Sequence, residues 1–209
     1  LSSSPVLKEE LDGVETHFGE IDLRLMNQID LMIASPGIAM DSPAITLAQA
    51  QGVEVRGDID LFVAEAKRPV IGITGSNGKS SVTTFVGQLL TFCGKRVAVG
   101  GNLGVPALEL LNAPPDVYVL ELSSFQLERA GDLNLAVAIV LNLSPDHLDR
   151  HQTMPLYHLA KHRIFAGAKN VVANYRDALT QPVGKGDVPW VLWRDNEPDL
   201  NQLGLREHE

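Results

Sequence analysis

From about residue 69 onward, short runs of β-branched and aliphatic residues alternate with stretches whose apolar positions recur at helical spacing. The runs are Val70 to Thr74, Val97 to Val99, Val117 to Leu122, Ala136 to Leu141, Asn170 to Ala173 and Trp190 to Trp193. Strands interleaved with helices predict an α/β fold, a mostly parallel sheet covered by helices on both faces. The clearest helix spans Lys79 to Cys93. Val82, Phe85, Val86, Leu89, Leu90 and Cys93 recur along it, and Gly94 supplies a stop. That stripe is expected to pack on the sheet. Upstream of Pro69 the pattern is weaker: a strand at Ile29 to Ala34, a turn at Ser35-Pro36-Gly37, a helix from Pro43 to Gln51 and an extended piece at Val53 to Val55. A domain boundary is expected near Arg68-Pro69, which divides the chain into residues 1–68 and 69–209. No internal repeat or low-complexity tract interrupts this rhythm.

Composition narrows the function classes. The 209 residues carry 17 Lys+Arg against 26 Asp+Glu, a formal charge of -9. A chain this acidic gains no counterion-release attraction to nucleic acid. The acidity sits at the ends, with two basic and seven acidic side chains in residues 1–30 and two and five in residues 194–209, so the middle is nearly balanced at 13 against 14. The centre is therefore free to hold an anionic ligand. Cys93 is the only cysteine, which excludes a disulfide framework and fits a reducing compartment such as the cytoplasm. The apolar run Ala136 to Leu141, even with Leu135 before it, is far short of the ~20 residues of a membrane-spanning helix, so no membrane partner is expected. The first residues, Leu1 to Pro5, have neither an initiator Met nor the pattern of a signal peptide and read as a cut end.

The strongest chemical signal is Val70 to Ser81, a strand, a glycine-rich turn containing Gly75, Ser76, Asn77 and Gly78, and then the Lys79 helix. In that order, the N–H groups of the turn and of the helix start converge on one point, an arrangement suited to a phosphate chain. Lys79 would neutralise the outer phosphates and the Ser80 hydroxyl would ligate Mg²⁺, with Ser81 in the same first turn. The pattern G-x-x-x-x-G-K-[ST] is not fully met, because Ile73 stands where the first Gly is expected.

In an open parallel sheet, ligands bind outside the carboxyl ends of the strands. Glu121 ends the run Val117 to Leu122, and His147 follows Ala136 to Leu141 after the Ser144-Pro145 turn, so both are expected on the phosphate-loop side. A carboxylate there is suited to Mg²⁺, directly or through water. His147/His151 and His158/His162 are pairs spaced i, i+4 that zinc would tolerate on helices, but Pro155 separates them and no Cys is near, which argues against a zinc site. Gly100-Gly101-Asn102-Leu103-Gly104 is another strand-end loop, a tight turn or a substrate contact.

Taken together, Thr74-Gly75-Ser76-Asn77-Gly78-Lys79-Ser80, Glu121-Leu122-Ser123-Ser124-Phe125-Gln126, Gly100 to Gly104, Ser144 to Arg150 and Ala160 to Arg163 resemble the Mur ligase family, ATP-dependent ligases that build the peptide stem of the bacterial cell-wall precursor. The family's phosphate loop also lacks the first glycine. The Glu121-to-Gln126 stretch looks most like the branch that adds D-glutamate to UDP-N-acetylmuramoyl-L-alanine. The resemblance runs from about Glu15 into the 190s. It implies that residues 1–68 are the C-terminal part of a UDP-substrate-binding domain, that 69–209 are an incomplete ATP-binding domain, and that a closing C-terminal domain is absent, so that the fragment alone is expected to be inactive.

The chemistry the resemblance implies is transfer of the ATP γ-phosphoryl to the alanyl carboxylate, giving an acyl phosphate that the D-glutamate amine attacks. Both steps gather negative charge, so catalysis should rest on positioning and cationic stabilisation. Two Mg²⁺ sites follow by the same resemblance: one at Ser80 and Glu121, a second near His147 and Lys161. Asn102 and the Ser35-Pro36-Gly37 turn match substrate contacts. Lys161 poses a charge problem, because an ammonium group cannot ligate a cation. Residue type alone leaves an exposed helix Lys open. A partly buried amine near cations would instead titrate lower and add CO2, and the resemblance favours that carbamylated form. A monomer acting on small molecules is the expectation. The rival readings are another phosphate-loop enzyme, against which the joint match of Asn102, His147 and Lys161 speaks, and a non-catalytic nucleotide-binding module.

Overall fold

In the computed structural model, which describes residues 13–14, 23–183 and 190–193, two parallel sheets are laid down in chain order. The first is small: β1 (Leu31–Ile33) pairs with β2 (Glu54–Arg56) across α1 (Pro43–Ala50). Pro43 opens α1 at a position where its missing N–H costs nothing. A helix that the sequence reading did not expect, α2 (Asp58–Glu65), follows. Asp58 and Asp60 lie in its first turn, where negative charge is favourable, and the Gly57 N–H donates to Asp60 Oδ2 at 2.9 Å. Ile59 and Phe62 of α2 are buried in the core of the larger sheet, and Phe62 meets Tyr118 edge to face at 5.0 Å.

The larger sheet has the order β4-β5-β3-β6-β7-β8, and every neighbouring pair is parallel. Its strands are β3 (Val70–Thr74), β4 (Val97–Gly101), β5 (Val117–Glu121), β6 (Val137–Val140), β7 (Val171–Asn174) and β8 (Trp190–Trp193). All six expected runs are strands, with ends shifted by a residue or two. The central strand β3 lies between β5 and β6. After β3 the chain crosses to one side, and after β5 it crosses back to the other, so the carboxyl end of β3 is where the sheet's connections diverge, the place at which such sheets bind ligands.

Besides α2, the helices α3 (Lys79–Phe92), α4 (Ser124–Leu127), α5 (Leu148–His151) and α6 (Met154–His162) flank these strands among the described residues. Ser123 caps α4 by accepting from the Gln126 N–H at 3.2 Å, while the Gln126 side chain returns to the Ser123 N–H at 3.1 Å.

One expectation needs correction, and one left open is decided. The stripe of α3 that packs on the sheet is Thr83 and Gly87, with Val82, Val86 and Leu90 half-buried; Phe85, Leu89 and Cys93 are exposed and Phe92 is 90% exposed. The cause is the close approach of α3 to β4: a Cβ at Gly87 would stand 2.5 Å from Val99 Cγ2, so the small residues face the sheet and the bulky ones turn outward. On α6, Leu156 and Leu159 are exposed, while Tyr157, Ala160, Lys161 and, one turn on, Ile164 form the buried stripe. Pro155 does not break this segment. It lies in the first turn of α6.

Candidate active site

β3 ends at Thr74 and leads into Gly75 and Ser76, all three buried, after which the chain turns sharply into α3. Gly78 makes that turn at φ 78°, in the left-handed region, and it brings no side chain to cap the helix. The first-turn N–H groups of α3 are therefore left for an outside acceptor, and the helix dipole adds partial positive charge at the same point. The Lys79 ammonium lies over the turn, donating to the Ser76 carbonyl at 3.0 Å.

The turn is fastened to the segment after β6. The Ser76 N–H donates to the Asn142 carbonyl at 3.0 Å, and the Asn77 N–H to Asn142 Oδ1 at 2.9 Å, while Asn142 Nδ2 returns to the Asn77 carbonyl at 3.0 Å. The Ser76 hydroxyl gives its one proton to the Ser144 carbonyl at 2.9 Å. It then accepts from the Ser144 N–H at 3.0 Å and from the buried Tyr157 hydroxyl at 3.0 Å, the latter acting as donor. Burial also holds the Tyr157 phenol above its ordinary pKa, so it keeps that proton.

Beside the turn, β5 delivers Glu121, which is only 2% exposed. Its two carboxylate oxygens accept from the Ser80 hydroxyl at 2.7 Å and from Asn102 Nδ2 at 2.7 Å. Gly101 permits this geometry: at φ 99° it packs so closely that a Cβ would stand 2.4 Å from the Glu121 carbonyl. A buried carboxylate with a hydroxyl and an amide oxygen beside it is a hard-oxygen donor set that fits Mg²⁺.

On the other side, Lys161 reaches in from α6. It is 1% exposed, and its ammonium donates to the Gly75 carbonyl at 2.8 Å and to Thr74 Oγ1 at 3.3 Å, with the Tyr157 ring centroid 4.9 Å away. Burial, reinforced by the charge of Lys79, lowers its pKa from 10.5 to about 7, against the opposing pull of Asp146 and Glu121. Near neutral pH a large fraction of this amine is therefore uncharged. His147 opens α5 in a left-handed conformation at φ 49° and is about half exposed; its Nε2 lies 3.4 Å from Asp146 Oδ2 and its ring 5.0 Å from that of Phe125.

The structure thus gathers Gly75, Ser76, Asn77, Gly78, Lys79, Ser80, Ser81, Asn102, Glu121 and Lys161 at the carboxyl end of β3, with His147 nearby beside Asp146. The Ser35-Pro36-Gly37 turn reaches the neighbouring surface, where its carbonyls meet Arg129 and Arg150. Of the histidine pairs, His158 and His162 both direct Nε2 to the Leu179 carbonyl, at 2.9 and 2.7 Å, and His151 bonds the Ser124 hydroxyl at 2.9 Å. Among the described residues, no group of three or more His, Cys, Asp or Glu could hold a metal ion. Sequence reasoning assigned no role to Thr74, Asn142, Ser144, Asp146 and Tyr157. Asn142 lies two residues past the end of β6, so the strand-end rule that selected Glu121 would have found it; Tyr157 carries no such signal.

A parallel α/β sheet with a glycine turn and helix start on its central strand and an acid at the next strand's carboxyl end is the arrangement found in the class of phosphate-loop domains. Comparison with known proteins narrows it. The family model described as the Mur ligase middle domain matches residues 73–188, and that of the MurD-like N-terminal domain matches residues 2–57. The chain belongs to the Mur ligase family. It is 52% identical over 202 residues to the UDP-N-acetylmuramoylalanine–D-glutamate ligase of Pseudomonas syringae pv. syringae, covering 96% of this chain and 45% of that protein. The corresponding ligase of Pseudomonas aeruginosa is 51% identical over 203 residues, again 45% of its length. The chain thus spans somewhat under half the length of these curated relatives. Among solved structures, a pseudomurein peptide ligase type C from Methanothermus fervidus aligns with a TM-score of 0.50 at 25% identity, covering 88% of this chain and 40% of the other.

Proposed function

We propose that this chain is part of an ATP-dependent ligase that adds D-glutamate to UDP-N-acetylmuramoyl-L-alanine in cell-wall precursor synthesis, acting in the cytoplasm as a monomer. Residues 1–68 contribute to the UDP-substrate side and residues 69–209 form part of the ATP-binding domain. The observation that carries this reading is the Ser80–Glu121–Asn102 chain, in which a buried carboxylate is bonded to the phosphate loop's hydroxyl and to the neighbouring strand-end amide.

In this reading the turn from Gly75 to Gly78 and the first turn of α3, through Ser81, cradle the ATP phosphates by their N–H groups, and Lys79 offsets the charge on the outer ones. Ser80 and Glu121 would hold one Mg²⁺, and His147 with Lys161 a second; when bound, such ions screen the negative charge gathered during phosphoryl transfer. Lys161 meets the requirement for the second site as a carbamate. Its amine, already lowered by burial, adds CO2 in the neutral form, losing one N–H proton to solvent and becoming an anionic oxygen ligand. Asn102 and the Ser35-Pro36-Gly37 turn face the acceptor, whose alanyl carboxylate takes the γ-phosphoryl before the D-glutamate amine displaces it as phosphate.

The test is to titrate the chain with MgATP and with UDP-N-acetylmuramoyl-L-alanine, then to assay the complete protein for D-glutamate-dependent ADP release and amide formation. Saturable MgATP binding that Lys79→Ala abolishes is expected. ATP turnover independent of both UDP-N-acetylmuramoyl-L-alanine and D-glutamate would point to a different phosphate-loop enzyme.

A further inference from the structure

The turn that follows β1 is held from beneath by two guanidinium groups belonging to the larger sheet's helices. Arg129, just past α4, has a side chain with no solvent exposure; it donates to the carbonyls of Ala34 at 3.1 Å, Pro36 at 3.2 Å and Ile38 at 2.7 Å, and through Nε to Phe125 at 3.3 Å. Arg150, at the end of α5, donates to the carbonyls of Ile38 at 2.7 Å and Gly37 at 3.3 Å, and its guanidinium lies 5.1 Å from the centre of the Phe125 ring. Glu128 pairs with both, closely with Arg150 and at 3.5 Å with Arg129. Gly57 makes room for the arrangement: a Cβ there would stand 2.8 Å from the Arg129 side chain.

Burying two cations is costly unless their donors are satisfied. Here four carbonyls of the turn, the Phe125 carbonyl and one carboxylate supply the acceptors, so the cost is offset only while the turn keeps this path. In a trans peptide, the N–H points opposite to the C=O. Fixing the carbonyls of Ala34, Pro36 and Ile38 inward therefore aims the N–H groups of Ser35, Gly37 and Ala39 outward. Phe125 and Glu128 follow directly on β5 through α4, and Arg150 lies three residues after His147. The same short segments that carry Glu121 and His147 thus also hold the turn.

We propose that Arg129 and Arg150, paired through Glu128, are positioning residues that lock the Ser35-Pro36-Gly37 turn in register with the phosphate loop and so set the affinity for the acceptor substrate. This rests on the reading, given above, that the turn contacts that substrate. Neither arginine touches the reacting atoms. Their effect is confined to how well the turn is presented.

Arg150 carries the test, because its side chain is partly exposed at 16%, whereas loss of the fully buried Arg129 endangers folding. In the complete protein, Arg150→Ala, Arg150→Lys and Gly37→Val are compared by kcat and by separate KM values for UDP-N-acetylmuramoyl-L-alanine and ATP. Gly37 has open space where a Cβ would go, so Gly37→Val probes the turn's outer face without disturbing its underside. Arg150→Ala is expected to raise the acceptor KM at least tenfold, with kcat and the ATP KM within threefold of wild type. Guanidinium ion at tens of millimolar should restore much of that KM, and Arg150→Lys should fall between, since an ammonium lacks the planar fork. Gly37→Val should raise the acceptor KM as well. An effect of Gly37→Val with none of Arg150→Ala would overturn the positioning role. No effect of Gly37→Val would overturn the reading of the turn as a substrate contact, and the inference with it. Equal losses in kcat and in both KM values, with no guanidinium rescue, would show a merely structural role.

Discussion

Replacing Lys161 by Met asks directly whether the buried amine beneath the phosphate loop costs stability. The side chain is 1% exposed, and burial lowers its pKa from 10.5 to about 7. At about 1.36 kcal/mol per unit, that displacement is a penalty of ~5 kcal/mol on the charged form. Against it stand the bonds to the Gly75 carbonyl and Thr74 Oγ1, whose loss costs about 1–2 kcal/mol. Met fills a similar volume without a charge. The sign follows from proton binding. Below a pH of about 7 both folded and unfolded chains carry the proton, and the penalty is felt in full. Between about 7 and 10.5 the unfolded chain binds a proton that the folded chain has released, so wild-type stability rises with pH. Lys161→Met is therefore expected to be more stable than wild type by ~3 kcal/mol near neutral pH, with the gap closing by ~1.4 kcal/mol per pH unit and reversing near a pH of about 9. Urea unfolding followed by circular dichroism, in CO2-depleted buffer at several pH values from neutral to alkaline, measures the difference; the other titrating groups are common to both proteins and cancel. Parallel stability profiles for the two would refute the argument.

Three further outcomes are expected. Lys79→Ala should abolish phosphoryl transfer in the complete protein while leaving the melting temperature nearly unchanged, because Lys79 is only half-buried and bonds one turn carbonyl; retained ligation would remove the phosphate-loop assignment. Gly101→Ala should destabilise the chain by about 2 kcal/mol or more, through the positive φ and the 2.4 Å approach to the Glu121 carbonyl, and calorimetry showing an unchanged melting point would contradict that geometry. Tyr157→Phe removes the donor to Ser76 and should cost about 1 kcal/mol in urea unfolding, with weaker MgATP binding by titration calorimetry; an ATP affinity equal to wild type would mean that Ser76 is held well enough by Ser144 and Asn142.

How far the sequence reached can be judged residue by residue. Its apolar runs located all six strands of the larger sheet, because strands buried on both faces must be continuously apolar. The strand, glycine turn and Lys79 helix lie where the sequence placed them, because backbone geometry there is local. Glu121 was legible from the rule that ligands gather at carboxyl ends of parallel strands, and the side chain is there, bonded to Ser80 and Asn102.

What the sequence could not decide was which face of a helix the fold covers. On α3, periodicity favoured Phe85 and Leu89 as core, yet Thr83 and Gly87 face the sheet, since close helix–strand approach selects for small side chains over apolar ones. On α6 the leucines are exposed and Lys161 is buried, an inversion of hydrophobic ordering sustained by acceptors from Thr74 and Gly75, residues more than 80 positions away in the chain. The clamp of Arg129 and Arg150 on the Ser35-to-Ile38 turn is of the same kind. Local pattern depends on neighbours along the chain and so is written in the sequence, whereas the burial of a charge depends on acceptors brought together only when the strands have been ordered, and that was decided by the tertiary structure.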